Sequence, residues 1–170
     1  KDFERRLELL EGACRAGVRS VGIGVLLGLA PWREELPRLI DHAKALMKKY
    51  WQTEIRISLP RLKKCASGFQ AEHPVSDEEL IEMICQLRLA LPEVGLTLST
   101  REPPALRDQL LQLGITHMSA GSRTEPGGYL QPEVAGKQFE LADHRTPAEV
   151  AVAIRQKGYE PVWKDWSAEL

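Results

Sequence analysis

The stretch GLTLSTREPP, Gly95 to Pro104, decides how this chain folds. It begins as an apolar strand and ends in Ser99, Thr100, Arg101 and Glu102, followed by two prolines. Successive side chains of a strand point to opposite faces. Leu96 and Leu98 therefore face one way, and Thr97, Ser99 and Arg101 the other. The same division recurs in EIRISLP (54–60), where Ile55, Ile57 and Leu59 oppose Arg56 and Ser58. In VGIGVLLGL (21–29), Gly22, Gly24 and Gly28 share the face opposite Val21, Ile23, Val25 and Leu27. One face of each strand is aliphatic and the other is polar or nearly bare. An open, doubly wound parallel sheet carries helices on both faces and is aliphatic on both. A barrel strand, with helices outside and a roomy polar lumen inside, has the pattern found here.

Helical segments alternate with these strands. Phe3, Leu7, Leu10 and Cys14 recur at helical spacing over 2–16, with Gly17 at the C-cap position. Residues 35–50 place Leu36, Leu39, Ile40, Ala43, Leu46, Met47 and Tyr50 on one stripe. Ser76 and Glu79 form a capping box opening a third helix, which carries Leu80, Ile81, Ile84, Leu87 and Leu91. A helix over 104–113 follows VGLTLST (94–100), and THMSAGS (116–122) reads as a short fourth strand. Residues 123–145 form a long Gly/Pro-rich loop, in which Gly127 and Gly128 permit positive φ. Thr146, Pro147 and Glu149 start a last helix that closes at Gly158. The tail GYEPVWKDW reads as extended, with Trp163 and Trp166 as anchors on the barrel wall. A helix and four strand–helix units predict four parallel strands with crossover helices, half of a (β/α)8 barrel.

A chain of 170 residues suffices for one well-buried domain. With 23 Lys and Arg against 24 Asp and Glu, it has no charge excess to attract nucleic acid. No apolar run reaches the roughly 18 residues of a membrane span, and no secretion-type leader opens the chain. Three widely spaced cysteines, Cys14, Cys65 and Cys85, fit a reducing cytoplasm better than a disulfide framework. Lys1 already lies inside an amphipathic pattern with no initiator Met, so the chain reads as a piece of something longer.

In barrel enzymes the site is built at the C-terminal ends of the strands. That selects Gly28–Pro31, Ser58–Arg61, Ser99–Glu102 and Ser119–Thr124. Two of these patches set an Arg close to a Ser, a pairing suited to a carboxylate or another planar oxyanion. Metal chemistry finds little support. Cys14 and Cys85 fall on the apolar faces of helices and read as packed thiols. Cys65, beside Lys63 and Lys64, is either a lowered-pKa thiol or a passive loop residue. No spacing matches a zinc or iron–sulfur site, so no metal ligands and no catalytic residue are assigned. His117, at the start of a strand, is placed to face the lumen, without an evident partner in sequence.

VGIGVLLGL, ISLPRL, GLTLSTRE, MSAGSRTEPGGY and PVWKDW, in this order and spacing, resemble the C-terminal half of the 2-iminoacetate synthase family, the tyrosine lyases of thiamine biosynthesis. The resemblance covers essentially the whole chain. A wider radical S-adenosylmethionine (SAM) barrel group is similar, including the tyrosine lyase that matures the [FeFe]-hydrogenase cofactor. That relative carries additional C-terminal cysteines, which this chain lacks. The resemblance implies half of a radical SAM barrel over 1–122, with the loop, helix and tail of 123–170 packing on it. It also implies a [4Fe–4S] cluster that reduces SAM to a 5′-deoxyadenosyl radical, which cleaves L-tyrosine to 2-iminoacetate and p-cresol. The family's CxxxCxxC cluster loop is absent here, so the chain alone is expected to be inactive and to need the N-terminal half of the barrel. By similarity, Arg101 and Ser119 would hold the tyrosine carboxylate and amine, with Ser99 and Ser122 beside them. Ser58, Arg61 and Gly24 would border SAM. The thiazole synthase of the same pathway is an implied partner. A reading from a different class is a non-catalytic half-barrel that self-associates or binds a partner through its unpaired strand edges.

Overall fold

The computed structural model describes residues 2–63, 68–124 and 140–163. The elements alternate as α1 (Phe3–Arg15), β1 (Ser20–Gly24), α2 (Trp32–Lys49), β2 (Glu54–Ser58) and α3 (Asp77–Ala90), then β3 (Gly95–Leu98), α4 (Pro104–Leu110), β4 (His117–Met118) and α5 (Pro147–Gln156). A single 3₁₀ turn, Leu111–Leu113, extends α4. The strands form one parallel sheet in the order β1-β2-β3-β4, so all four C-terminal ends lie along one rim.

The alternation expected from the sequence is the one observed. Val21, Ile55, Ile57, Leu96 and Leu98 are buried, together with Leu36, Leu39, Ala43 and Leu46 of α2 and Leu80, Met83, Ile84 and Leu87 of α3. Each of these apart from Ala43 contributes about 1.5–3 kcal/mol through its removal from water. On the opposite face Gly22 and Gly24 are exposed, and Arg56, Ser58, Thr97 and Ser99 are half-buried. The concave face is therefore the open one. The capping box expected of Ser76 with Glu79 is present, and Thr146 with Glu149 forms a second at the start of α5. Glu79 also reaches beyond its own helix. Its Oε1 accepts from the indole N–H of Trp32 at 3.0 Å, fastening the start of α3 to that of α2.

Several segments depart from expectation. The ladder of β1 stops at Gly24, and the chain meets β2 again only through a bridge between Leu27 and Arg61. The fourth strand is confined to two residues. Cys85 is exposed, because it falls one residue past the buried Leu80–Met83–Ile84–Leu87 stripe and points about 100° away from it. Trp163 is 68% exposed and is no wall anchor. It borders an apolar groove of about 540 Å³ between β4 and α5, lined by Met118, Val150, Ile154 and Tyr159 among others. No strand forms over 159–163. Cys65, Gly127, Gly128 and Trp166 lie outside the described residues. No helix among the described residues is long and apolar enough to cross a membrane.

Candidate active site

Parallel register sorts the concave face into rows. Gly22, Arg56 and Gly95 align near the floor, where Arg56 holds Glu54 through two hydrogen bonds of 2.8 Å. Gly24, Ser58, Thr97 and His117 align one row higher. Above them, the N–H of Ser119 donates to the carbonyl of Leu98 at 3.0 Å, which sets Ser119 beside Ser99 at adjacent strand ends. A cavity of about 20 Å³, room for one water, lies on the opposite side of the sheet, where Ile57, Leu80, Ile84, Leu87, Leu96 and Leu98 line it, so it belongs to the core and not to the concave face. The register thus places Gly24 and Ser58 toward one side of the rim and Ser99 and Ser119 toward the other, with Arg101 and Ser122 following in the loops after β3 and β4.

Gly24 has the Ser58 main chain directly against it. A Cβ there would stand 2.2 Å from the Ser58 carbonyl oxygen and 2.9 Å from its hydroxyl. Backbone cannot yield as a flexible side chain does. Gly24→Ala is expected to cost about 1–3 kcal/mol, the scale of overpacking, measured by urea unfolding. A wild-type unfolding midpoint would mean that β1 shifts freely.

Arg101 is half-buried, and its main-chain N–H donates to the Ser99 hydroxyl at 3.3 Å. Burial pulls its guanidinium below the usual arginine value, against the neighbouring Glu102 carboxylate, which raises it. A cation made less comfortable by desolvation gains from an anion placed against it. Ser99 and Ser119, at neighbouring strand ends, carry hydroxyls of the kind that suits a carboxylate as such a cation does.

Arg61 is committed elsewhere. It makes two hydrogen bonds to the Glu102 carboxylate, pairs with Asp77 at 2.7 Å and donates to the Val75 carbonyl at 3.0 Å. Burial works against its charge, yet these partners raise its pKa overall. Glu102 is only 1% exposed, with Lys63 as a further partner at 3.4 Å. Glu102 is therefore a buried brace joining the ends of β2 and β3.

A second brace is not visible in the sequence. Arg107, on α4, is fully buried and pairs with the buried carboxylate of Asp143. Its other terminal nitrogen donates to the carbonyl of Ser119. Arg145 binds Asp143 at 2.7 Å and Asp108 at 2.9 Å. Burial alone pushes the Asp143 carboxyl up, but hydrogen bonds from Arg145 and Arg107 outweigh it and pull the pKa down to about 2. The one local signal is that Arg107 shares the helical stripe of Leu106 and Leu110.

Among the described residues no three His, Cys, Asp or Glu side chains come together to hold a metal. Cys14 is buried in α1 and Cys85 faces outward on α3, so these two thiols offer no shared ligand set. The described residues do not fit an iron–sulfur cluster.

Comparison with known proteins decides the family. Residues 58–160 match the model of the Biotin and Thiamin Synthesis associated domain. The chain belongs to this family. Its matched region runs from the end of β2 through both braces to the segment after α5, so it contains most of the rim. Over 171 aligned residues the chain is also 40% identical to 2-iminoacetate synthase of Escherichia coli and of Salmonella typhimurium. The match takes in 100% of this chain and 45% of each relative, so the chain spans less than half the length of the curated relatives it matches. Among solved structures, HydG, a maturase of the [FeFe]-hydrogenase, aligns with 96% of this chain and 36% of its own at 34% identity, with a TM-score of 0.85. HydG from Carboxydothermus hydrogenoformans aligns with 96% of this chain and 38% of its own at 40% identity, with a TM-score of 0.83. The half-barrel expected from strand alternation is thus the fold of the C-terminal part of these larger proteins.

Proposed function

We propose that this chain is the substrate- and SAM-facing half of a radical SAM carbon–carbon lyase, which cleaves L-tyrosine to 2-iminoacetate and p-cresol for the thiazole ring of thiamine. The observation that carries the reading is the 40% identity to 2-iminoacetate synthase over the whole chain. In this reading Arg101 and Ser119 hold the tyrosine carboxylate and amine, with Ser99 and Ser122 beside them. Gly24 and Ser58 face SAM across the lumen, and Arg61 serves that side by holding the end of β3 through Glu102. Bound SAM, with a cluster supplied from outside this chain, provides the radical chemistry. The residues of this chain bind and orient tyrosine beneath it. In this reading residues 1–122 are the half-barrel, and the C-terminal segment is joined to it through Asp143 and Arg145. The enzyme works in the cytoplasm, with the thiazole synthase of the pathway as a partner, and the 170-residue chain alone is inactive.

The test uses the full-length protein encoded with this chain, reconstituted with iron, sulfide, SAM and a reductant. Release of p-cresol from L-tyrosine is the expected result. Reconstituted protein that forms no p-cresol removes the lyase reading. Arg101→Ala is expected to weaken tyrosine binding by roughly 1.5–3 kcal/mol, the scale of a hydrogen bond to a charged group. Calorimetry showing wild-type affinity in that variant removes Arg101 from the site.

A second reading, a half-barrel that pairs with a copy of itself, has a specific feature in its favour. β1 and β4 each lie at an edge of the sheet, and the groove beside β4 is apolar. Sedimentation of the 170-residue chain decides it: a dimer mass supports closure by two copies, and a strict monomer removes it.

A further inference from the structure

Behind the rim, residues 142–143 touch the C-terminal ends of both strands that carry the candidate clamp. The N–H groups of Ala142 and Asp143 both donate to the Thr100 carbonyl, at 3.0 and 3.1 Å, one residue before Arg101. Arg107 binds the Asp143 carboxylate with one terminal nitrogen and the Ser119 carbonyl with the other. Just beyond, Gly121 donates its N–H to the Arg145 carbonyl at 3.1 Å, and Arg145 closes back on Asp143. The main chain under Arg101 and the main chain of Ser119 are thus held by the same ion pair.

We propose that Arg107 and Asp143 are positioning residues for the carboxylate end of the substrate. They set the distance between Arg101 and Ser119 through the backbone carbonyls of Thr100 and Ser119, and touch no substrate themselves. This inference rests on the reading of the rim as a tyrosine-carboxylate site. A buried ion pair adds little stability over an apolar pair of equal volume. An apolar pair in the same space, however, has no donor for the Ser119 carbonyl. A planar guanidinium holds a carboxylate and a carbonyl at once with its donors in one fixed fork, which a compact ammonium does not do. The pair therefore accounts for geometry better than it accounts for stability. Charge-assisted contacts lose much of their value when the partners are misplaced by an ångström or so.

The test measures binding of L-tyrosine, tyramine and SAM to the full-length protein by calorimetry. Tyramine carries the phenol and the amine but no carboxylate. Two variants are used: Arg107→Lys, which keeps the charge but replaces the fixed planar fork with a compact ammonium, and Arg145→Gln, whose side chain is 19% exposed. Wild-type protein should prefer tyrosine to tyramine. In both variants tyrosine should bind about tenfold more weakly, the effect of a small misplacement, with tyramine and SAM unchanged. If wild type shows no preference for tyrosine, the carboxylate reading of the rim falls, and this inference with it. If wild type prefers tyrosine but both folded variants bind it equally well, only the positioning role is overturned. Parallel loss of all three ligands also overturns it, because that marks general loosening. Should Arg107→Lys fail to fold, Arg145→Gln decides alone.

Discussion

Asp143→Ala is expected to cost about 3–5 kcal/mol of folding stability, the loss typical when one partner of a buried ion pair is removed. The Arg107 side chain has no exposed surface, so water cannot take over from the lost carboxylate. Without Asp143 its charge keeps only the Ser119 carbonyl, a single neutral acceptor. Arg145 retains Asp108 and suffers less. Two further outcomes belong to the same measurement by urea unfolding. Replacing both partners, Arg107→Met with Asp143→Leu, should cost clearly less than Asp143→Ala, because no uncompensated charge remains. The acid limb of the stability curve should also change. The folded pKa of Asp143, about 2, lies below its ordinary value of 3.8. Its contribution is therefore complete above about pH 4 and disappears as pH falls through the folded value. That limb is worth about 2 kcal/mol by proton linkage, and Asp143→Ala should lack it. A loss below about 1 kcal/mol for Asp143→Ala, well under the range for a broken buried pair, would refute the role given to the pair.

Glu102→Ala is the second large effect, expected at about 3 kcal/mol, near the lower end for a broken buried pair. The smaller figure follows from what remains. Arg61 keeps Asp77 and the Val75 carbonyl, and Lys63 is nearly a third exposed. What is lost is the two-pronged contact that ties the chain after β2 to the end of β3. Amide hydrogen exchange should accelerate at Arg61 to Lys63 and at Ser99 to Arg101 more than in α2. Glu102→Gln, which keeps the shape and one acceptor, should recover part of the stability. Equal stability of the Ala variant and the wild type would return Glu102 to the status of a surface turn.

The features legible in the sequence are those with a short repeat. Leu96 and Leu98 against Thr97 and Ser99 need only the two-residue period of a strand, and Ser76 with Glu79 needs only a three-residue spacing. The rim follows, because parallel strands put all their C-terminal ends on one side. Arg107 and Asp143 are separated by 36 positions, and neither side chain alone announces the other. A charged residue inside an apolar stripe has a meaning only when its counter-charge is known. Glu102 is obscured for the same reason: beside two prolines it has the composition of a turn, and its partner Arg61 sits 41 residues earlier. Trp163 departs from expectation on other grounds. A large aromatic side chain normally finds cover, but here it borders the groove at the free edge of β4.

The contact between Arg107 and Asp143 also constrains how such a sequence is free to change over generations. An ancestor cannot exchange the aspartate for an apolar residue while Arg107 persists without passing through a form with a lone cation in its interior, whereas loss of Arg107 leaves Asp143 with Arg145. The aspartate codon is therefore tied to the arginine codon, and with it the segment at 140–146, loop-like by composition.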